Sequence, residues 1–499
     1  MSMGLSKSRY CKGIQCPKML WLDKNKPEEA ADLFRDSVLA NGTMVGDLAR
    51  SYFGKYELIE YQEDKPAMCE ETKRQMEAGT ETIAEASFLY DGLYCAVDLL
   101  HKNGDGWEIV EVKSSVKVSD IYKEDVAFQY YVLTKCGVNV KKASLLLVNT
   151  DYVRHGELDI QNLFQLTDQT DLCREKFSEV EKNVAAIRQA ADTAEEPECD
   201  INTYCETPYE CAYKQYCRKQ KNVPEQSVFD VGWGFYKNAK YKAYHDGIVS
   251  FQDIINKKLR LNEKQQRQVE TAYYHKSVAI DREALREFLH TLTYPVYHLD
   301  FETLFTPVPR WDGCGPYRQI PFQYSLHIEY EDGTLIHKAF LAKEGTDPRR
   351  ALAERLCQDI PMQACVLAYN MSFEQGRLKE LGECFPDLKE HLLSICDHLH
   401  DLAVPFQQQD YYTEAMKGSY SIKAVLPALF PDDPELNYHN LDQVHNGSEA
   451  SGAFDQMTGL PLEELAKLRE NLLKYCELDT YAMVKILRKL RETIKSYGD

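Results

Sequence analysis

His298-Leu299-Asp300-Phe301-Glu302-Thr303 closes an apolar run that opens at Val296. Side chains alternate along a strand, so Asp300 and Glu302 point to one face. Two adjacent carboxylates repel unless a cation joins them, and the pair points to a divalent metal site. Alone, it is equally compatible with two exposed acids at a strand end. Two later segments extend it. Ala368-Tyr369-Asn370-Met371-Ser372-Phe373-Glu374 follows a buried apolar stretch, 364–368, and sets Glu374 in the first turn of a helix. Tyr475-Cys476-Glu477-Leu478-Asp479 falls within a long helical pattern, 462–491, where Tyr475 and Asp479 are four apart and share a face.

Around these motifs the pattern predicts strands at 296–300, 320–330 and 334–342, the last two joined by the turn Glu331-Asp332-Gly333. A helix near 348–360, a strand at 364–368 and a helix from 372 follow. Three strands, then helix and strand in alternation, is the ribonuclease-H-like order. Over roughly 294–490 the three ordered motifs resemble the DEDD exonuclease family, in the subtype whose third motif is Tyr-x-x-x-Asp. That family includes the proofreading domains of DNA polymerases. The resemblance implies 3′–5′ exonuclease activity, with Asp300, Glu302, Glu374 and Asp479 holding two magnesium or manganese ions and Tyr475 orienting the attacking water. One ion would generate hydroxide and the other would stabilise the leaving 3′ oxygen. The family usually has Asp where this chain has Glu374. Gly418-Ser419-Tyr420-Ser421-Ile422-Lys423 precedes an apolar helix at 424–430 and resembles the family's segment between its second and third motifs. Lys423 is either a phosphate contact or a solvated lysine. Asp397 and Asp401, four apart, read as a helix face.

The first half has its own α/β order: a helix over 32–53, strands at 87–90, 93–101 and 107–113, a helix over 121–136, a strand at 143–148 and a long helix over 172–194. Asp91-Gly92 and Asn103-Gly104-Asp105-Gly106 supply the turns. Adjacent antiparallel strands bring Asp98 beside Glu111, and Lys113 shares Glu111's face. Two acids can hold magnesium or manganese on a phosphate, and a lysine can position water or neutralise charge. Gln129, in the next helix, completes the set. Cys16 lies near the start, and Cys205, Cys211 and Cys217 recur at six-residue intervals near the end of this half.

Taken together, residues 1–222 resemble the RecB-like PD-(D/E)XK nucleases that carry an iron–sulfur cluster, including CRISPR-associated ones. The resemblance implies a restriction-endonuclease-like core whose two ends are clamped by a 4Fe–4S cluster on Cys16, Cys205, Cys211 and Cys217. Zinc is the rival occupant, and Cys11 and Cys199 are rival ligands. The relatives space their first two C-terminal cysteines more closely. They often carry a metal-binding His in an early helix, where this chain has Gly46 followed by Asp47.

Residues 223–292 read as a helical connector. Within it, Tyr244-His245-Asp246-Gly247-Ile248 resembles a helix–hairpin–helix turn, although a plain helical linker accounts for it as well. The basic run Lys257, Lys258, Arg260, Lys264 and Arg267 reads as a phosphate contact or, more simply, a solvated face. The expected architecture is therefore α/β throughout: a nuclease domain at 1–222, the connector at 223–292 and an exonuclease domain at 293–499. A bacterial protein group of this architecture, whose cellular role is not settled, is similar.

A net charge of −20 over 499 residues argues against an all-over basic coat for nucleic acid but not against a local groove. Sixteen cysteines without a signal-peptide core or a membrane-span-length apolar run predict a cytoplasmic, reduced protein with no membrane partner. The expected partner is nucleic acid, DNA with single-stranded ends before RNA. Two other classes compete: a nucleic-acid-binding scaffold with a degenerate first half, and a zinc-stapled interaction protein without chemistry.

Overall fold

The computed structural model describes residues 4–33, 36–276, 278–436 and 441–495. The chain forms two compact units. One comprises Met1–Val223 and Thr306–Tyr317, the other Pro224–Phe305 and Arg318–Asp499. The helical connector groups with the second unit. Thr306–Tyr317, expected inside the second domain, groups with the first. There Arg154 donates to the carbonyls of Pro309 and Arg310, and the Tyr317 hydroxyl donates to the Ser114 carbonyl.

The first unit is built on a mixed sheet of β1 (Leu5–Ser6), β2 (Glu57–Leu58), β3 (Thr82–Tyr90), β4 (Leu93–Asn103), β5 (Gly106–Lys113), β6 (Val140–Val148) and β7 (Phe164–Asp168). Strands β2 to β7 run in spatial order, with β1 beside β4. Asp91 and Gly92, at φ 46° and 73°, form the positive-φ pair that suits a two-residue hairpin turn between β3 and β4. Strands β5 and β6 are parallel, so the chain must cross over, and the helix Asp120–Lys135 makes that crossing. It buries Val126, Phe128 and Val132 against the sheet together with Val180 and Val184 of the helix Thr170–Ala191. Val45 and Ala49, from the helix Asp36–Ala49, cover Leu99, Val110 and Leu146 on the other face. Coverage of both faces is why 143–148 is apolar without alternation.

The expected helix over 32–53 is shorter, starting at Asp36 and ending at Ala49; Phe34 and Arg35, within that expectation, lie outside the described residues. Helices at Lys7–Gln15, Pro17–Asn25 and Lys65–Glu77 were not anticipated.

In the second unit, β8 (Ala279–Ile280) pairs with a late strand, β14 (Tyr411–Tyr412). The main sheet holds β9 (Val296–Leu304), β10 (Ile320–Glu329), β11 (Leu335–Leu341), β12 (Cys365–Ala368) and β13 (Leu399–Asp401), in the order β11-β10-β9-β12-β13. Strand β10 is antiparallel to β9 and β11, whereas β12 and β13 are parallel to β9 and to each other. Tyr297, Leu299 and Phe301 enter a core shared with the helices Arg349–Asp359, Ser372–Cys384 and Lys389–Asp397. Period-two alternation then turns His298, Asp300 and Glu302 to the opposite face, crossed by the helix Leu462–Lys495. Asp397 and Asp401 do not share a helix: Asp397 ends one, and Asp401 lies in β13. The basic run is partly engaged, with Lys257 donating to the Gly247 carbonyl, Lys264 to Gln408 and Arg267 to the Gln409 carbonyl. No helix among the described residues is long and apolar enough to cross a membrane.

Candidate active sites and cysteine cavity

In the second unit the structure brings Asp300, Glu302, Glu374 and Asp479 into one electrostatic neighbourhood. Asn370, at φ 66°, turns the chain sharply between β12 and the helix Ser372–Cys384; Asn tolerates this left-handed conformation better than most residues. Glu374, in the first turn of that helix, is buried. Asp479 comes from the long helix, one turn after the buried Tyr475.

Burial pushes the Asp300 carboxyl well above the usual range, and Asp479, Glu302 and Glu374 push it further. Burial likewise raises Glu302, with Asp479 adding to the effect and Lys423 opposing it. Glu374 is raised to about 8 by burial and by Asp401. Its Oε2 is buried and finds no hydrogen-bond partner among the described residues. Burial and mutual repulsion disfavour the charged forms of these acids, and a divalent cation would offset both while giving the orphaned Glu374 oxygen a partner. The carboxylate oxygens of these four acids would suit magnesium or manganese, although the Cys476 sulfur also lies within 4.8 Å of an oxygen of both Asp300 and Glu302.

Three neighbours were not found from the motifs. Cys476 is buried, and its thiol donates to Asp300 Oδ2 at 3.7 Å. The N-terminus of the helix Gly447–Gln456 abuts Glu302, since a Cβ on Gly447 would stand 3.5 Å from Glu302 Oε2. That end of the helix dipole favours the carboxylate. Asp401 accepts from the backbone N–H groups of Asn370 and Ala403, both at 2.9 Å, which ties the second motif to β13. Cys476 could have been suspected from its place one helical turn before Asp479; the other two carried no local signal.

The Glu374 shift predicts a pH dependence. Its proton is held more tightly in the folded protein than in the unfolded chain, so the stability it contributes is present at low pH. That contribution is lost as pH rises from about 4.5, the ordinary value, to about 8. Metal-free Glu374→Gln should therefore lose less thermal stability than wild type between those pH values. Parallel melting curves for the two proteins across that range would refute the assignment.

In the first unit, Glu111, Lys113 and Gln129 meet as expected. Lys113 Nζ lies 2.6 Å from Glu111 Oε1, and Gln129 Nε2 donates to Glu111 Oε2 at 2.7 Å. Asp98 is placed differently from a simple ladder position. The β4–β5 register ends at Leu99↔Val110, and beyond it the Asp98 carboxylate accepts the Val112 N–H at 2.6 Å. Alternation also breaks here. Glu85, opposite Asp98, sits at φ 57°, and Ile83 and Ala86 enter the same core, as do Val97 and Leu100. Such an irregularity re-aims side chains.

Two further residues, Lys7 and Asp125, join this cluster. Lys7 Nζ lies 2.7 Å from Glu111 Oε1 and 3.7 Å from Asp125 Oδ1, and Lys113 also pairs with Asp125 at 2.6 Å. Asp125 is one helical turn before Gln129, a spacing that could have revealed it. Burial alone would raise Glu111, but the Lys113 and Lys7 ammonium groups overcome it and hold the carboxyl well below the usual range. Asp98 is raised to about 8 by burial and by Glu111. Gly46, Asp47 and Asp98 line one cleft, and a Cβ on Gly46 would meet nothing within 4 Å. Asp47 is paired with Arg50 at 2.9 Å.

Cys16, Cys205, Cys211 and Cys217 line one cavity, and Cys199 joins them as a fifth thiol. A hydrogen bond from Cys16 is the main cause of a Cys199 thiol lowered to about 6. Cys11 lies elsewhere, packed against the main core and influenced by Asp125 and Lys113.

Residues 297–421 match the family described as "Domain of unknown function (DUF2779)". That stretch holds Asp300, Glu302 and Glu374 and stops before Asp479. The chain is 28% identical over 252 residues to "Uncharacterized protein UU173" of Ureaplasma parvum serovar 3, which covers 45% of this chain and 35% of that protein. It is 26% identical over 215 residues to "Uncharacterized protein MG366" of Mycoplasma genitalium, covering 40% and 32% respectively. The matched part is about a third of the length of these curated relatives. No solved structure matches.

Proposed function

We propose that the chain is a metal-dependent nuclease with a 3′–5′ exonuclease centre in its second unit. The observation that carries this reading is the cluster in which Asp479, Glu302 and Glu374 all act on Asp300, and Asp479 and Glu374 on Glu302, with burial raising Asp300, Glu302 and Glu374 alike. The sheet order, with its second strand antiparallel and its last two parallel to the first, supports a ribonuclease-H-like fold. Two divalent ions on these carboxylates would supply an activated water and neutralise charge at the leaving oxygen. Tyr475 orients the attacking water through its hydroxyl, and Lys423, close enough to act on Glu302, meets a substrate phosphate. The preferred substrate is DNA with a single-stranded end, and RNA is the alternative. End-labelled single- and double-stranded DNA and RNA, digested with magnesium or manganese, test this. Shortening from the 3′ end supports it, and no cleavage of any substrate refutes it.

In the first unit we assign Asp98, Glu111, Lys113 and Gln129 to a second, RecB-like nuclease centre, joined by Asp125. One observation favours a non-cleaving, nucleic-acid-binding role instead: Lys7 already neutralises Glu111 and Asp125 from within the chain. Lys113→Ala separates the two. It should remove one cleavage activity while leaving 3′–5′ digestion within about twofold of wild type, since each unit carries its own carboxylates. If cleavage products are identical with and without Lys113, the first unit binds rather than cuts. Loss of all cleavage in a folded Lys113→Ala protein would mean the two centres are not separable.

For the cysteine cavity we favour a 4Fe–4S cluster over zinc. Cys16 near the start and Cys205, Cys211 and Cys217 near the end of the first unit share one cavity, the arrangement of one N-terminal and three C-terminal cysteines that the iron–sulfur nucleases use.

A further inference from the structure

We propose that His327, His337 and Glu477 form a site for one divalent transition-metal ion of the zinc class, separate from the acid pocket and the cysteines. The ion would clip β10 and β11 to the long helix Leu462–Lys495. His327 and His337 are direct cross-strand partners, their rings stacked with centroids 4.5 Å apart. Glu477 reaches them from the helix, its Oε1 3.5 Å from His337 Nδ1. One potential ligand atom from each of the three lies within 4.8 Å of the other two.

The hydrogen bonds around the rings argue for a ligand beyond simple packing. His327 Nδ1 bonds Thr480 Oγ1 at 2.8 Å, Thr480 Oγ1 bonds Ser325 Oγ at 2.7 Å, and Ser325 Oγ bonds His337 Nε2 at 2.9 Å. One nitrogen of each imidazole is thus held by a hydroxyl, and the chain of two hydroxyls fixes both rings relative to each other. His327 Nε2 and His337 Nδ1 remain for an ion. Metal-bound histidines are held in this way, the second nitrogen fixing ring orientation and tautomer. Burial disfavours the imidazolium of both rings, and the neutral form is the one that ligates. Two imidazoles and one carboxylate, with Glu477 about half exposed, leave a position for water and suit zinc better than magnesium.

The placement has a consequence for the acid pocket. Glu477 stands two residues before Asp479, and Thr480 directly after it, on the same helix. An ion on Glu477 would fix the rotation of the helix segment that presents Asp479, which makes these residues positioning groups rather than catalytic ones.

Cobalt is the probe, because it reports its ligands by visible absorption. The full chain, as purified with its cysteine site filled and with magnesium in excess, is titrated with Co²⁺ beside His337→Ala and Glu477→Gln. Wild type should bind one more equivalent than either variant, or bind that equivalent at least tenfold more tightly, with a d–d band and no added thiolate charge-transfer band. Glu477→Gln changes a half-exposed side chain and preserves the test should His337→Ala misfold. Equal stoichiometry, affinity and spectra in wild type and Glu477→Gln overturn the proposal. The exonuclease reading stands or falls separately, on the digestion assay.

Discussion

Asp300→Asn and Asp479→Asn are each expected to abolish 3′–5′ digestion while leaving the protein folded and, in the absence of metal, more stable than wild type. Both effects have one cause. Desolvation, and then the like charges of Asp479, Glu302 and Glu374, raise the Asp300 carboxyl well above the ordinary range. The native fold therefore holds acids that oppose one another, and replacing one by a neutral isostere relieves that repulsion. In the proposed mechanism the same substitution removes a ligand at the point where a divalent ion would stabilise developing charge. Several kcal/mol of transition-state stabilisation corresponds to on the order of 10³-fold in rate. Tyr475→Phe should cost about 10-fold to 100-fold, since on the proposed mechanism it would remove one water-orienting hydroxyl and no ligand. Initial rates on a 3′-end-labelled strand and melting temperatures with and without manganese measure both arms. An Asp300→Asn protein that digests at wild-type rate would remove the basis for the exonuclease assignment. One that loses activity through unfolding would show it in the melting curve.

The second large effect is expected at the cysteine cavity. Anaerobically purified wild type should be brown, with about one 4Fe–4S cluster per chain, and Cys16→Ala or Cys211→Ala should be colourless and less stable in the first unit. Cys16 and the Cys205–Cys217 segment are roughly 190 residues apart in sequence, and closing a loop of that length is worth roughly 5 kcal/mol in the chain-entropy model used for disulfides. The loss should fall short of that, because other bonds join the same segments. Gln15 donates to the carbonyls of Tyr204 and Tyr209, both at 2.7 Å, and the Tyr213 hydroxyl donates to Asp23 at 2.9 Å. Trp21 Nε1 donates to the Thr193 carbonyl at 3.0 Å. Iron and acid-labile sulfide analysis, set beside zinc content, decides the occupant. Colourless protein with one zinc per chain would replace the cluster reading. Cys199→Ala provides a finer test: retention of the cluster would leave the ligand set at Cys16, Cys205, Cys211 and Cys217.

Much of the secondary structure and part of each candidate site were legible in the sequence because they depend on local periodicity. The alternation through Val296–Leu304 places Asp300 and Glu302 on one face whatever the strand pairs with. A four-residue spacing places Tyr475 with Asp479 on any helix. Asp91-Gly92 specifies its turn through backbone sterics alone. Alternation failed as a guide at Asp98, where Glu85, at φ 57°, breaks the pattern on the neighbouring strand.

What only the tertiary structure decided are the partners that arrive from far along the chain. Lys7 meets Glu111 across 104 residues of sequence. Cys199 enters the cavity of Cys16, and Asp401 leaves its supposed helix for β13 beside the second motif. Thr306–Tyr317 leaves the second unit to pack with the first. A single lysine, cysteine or aspartate carries no periodic signature, and its neighbours are set by which faces of distant elements bury together. Local sterics and side-chain period therefore wrote the motifs into the sequence, whereas long-range burial chose the charges that surround them.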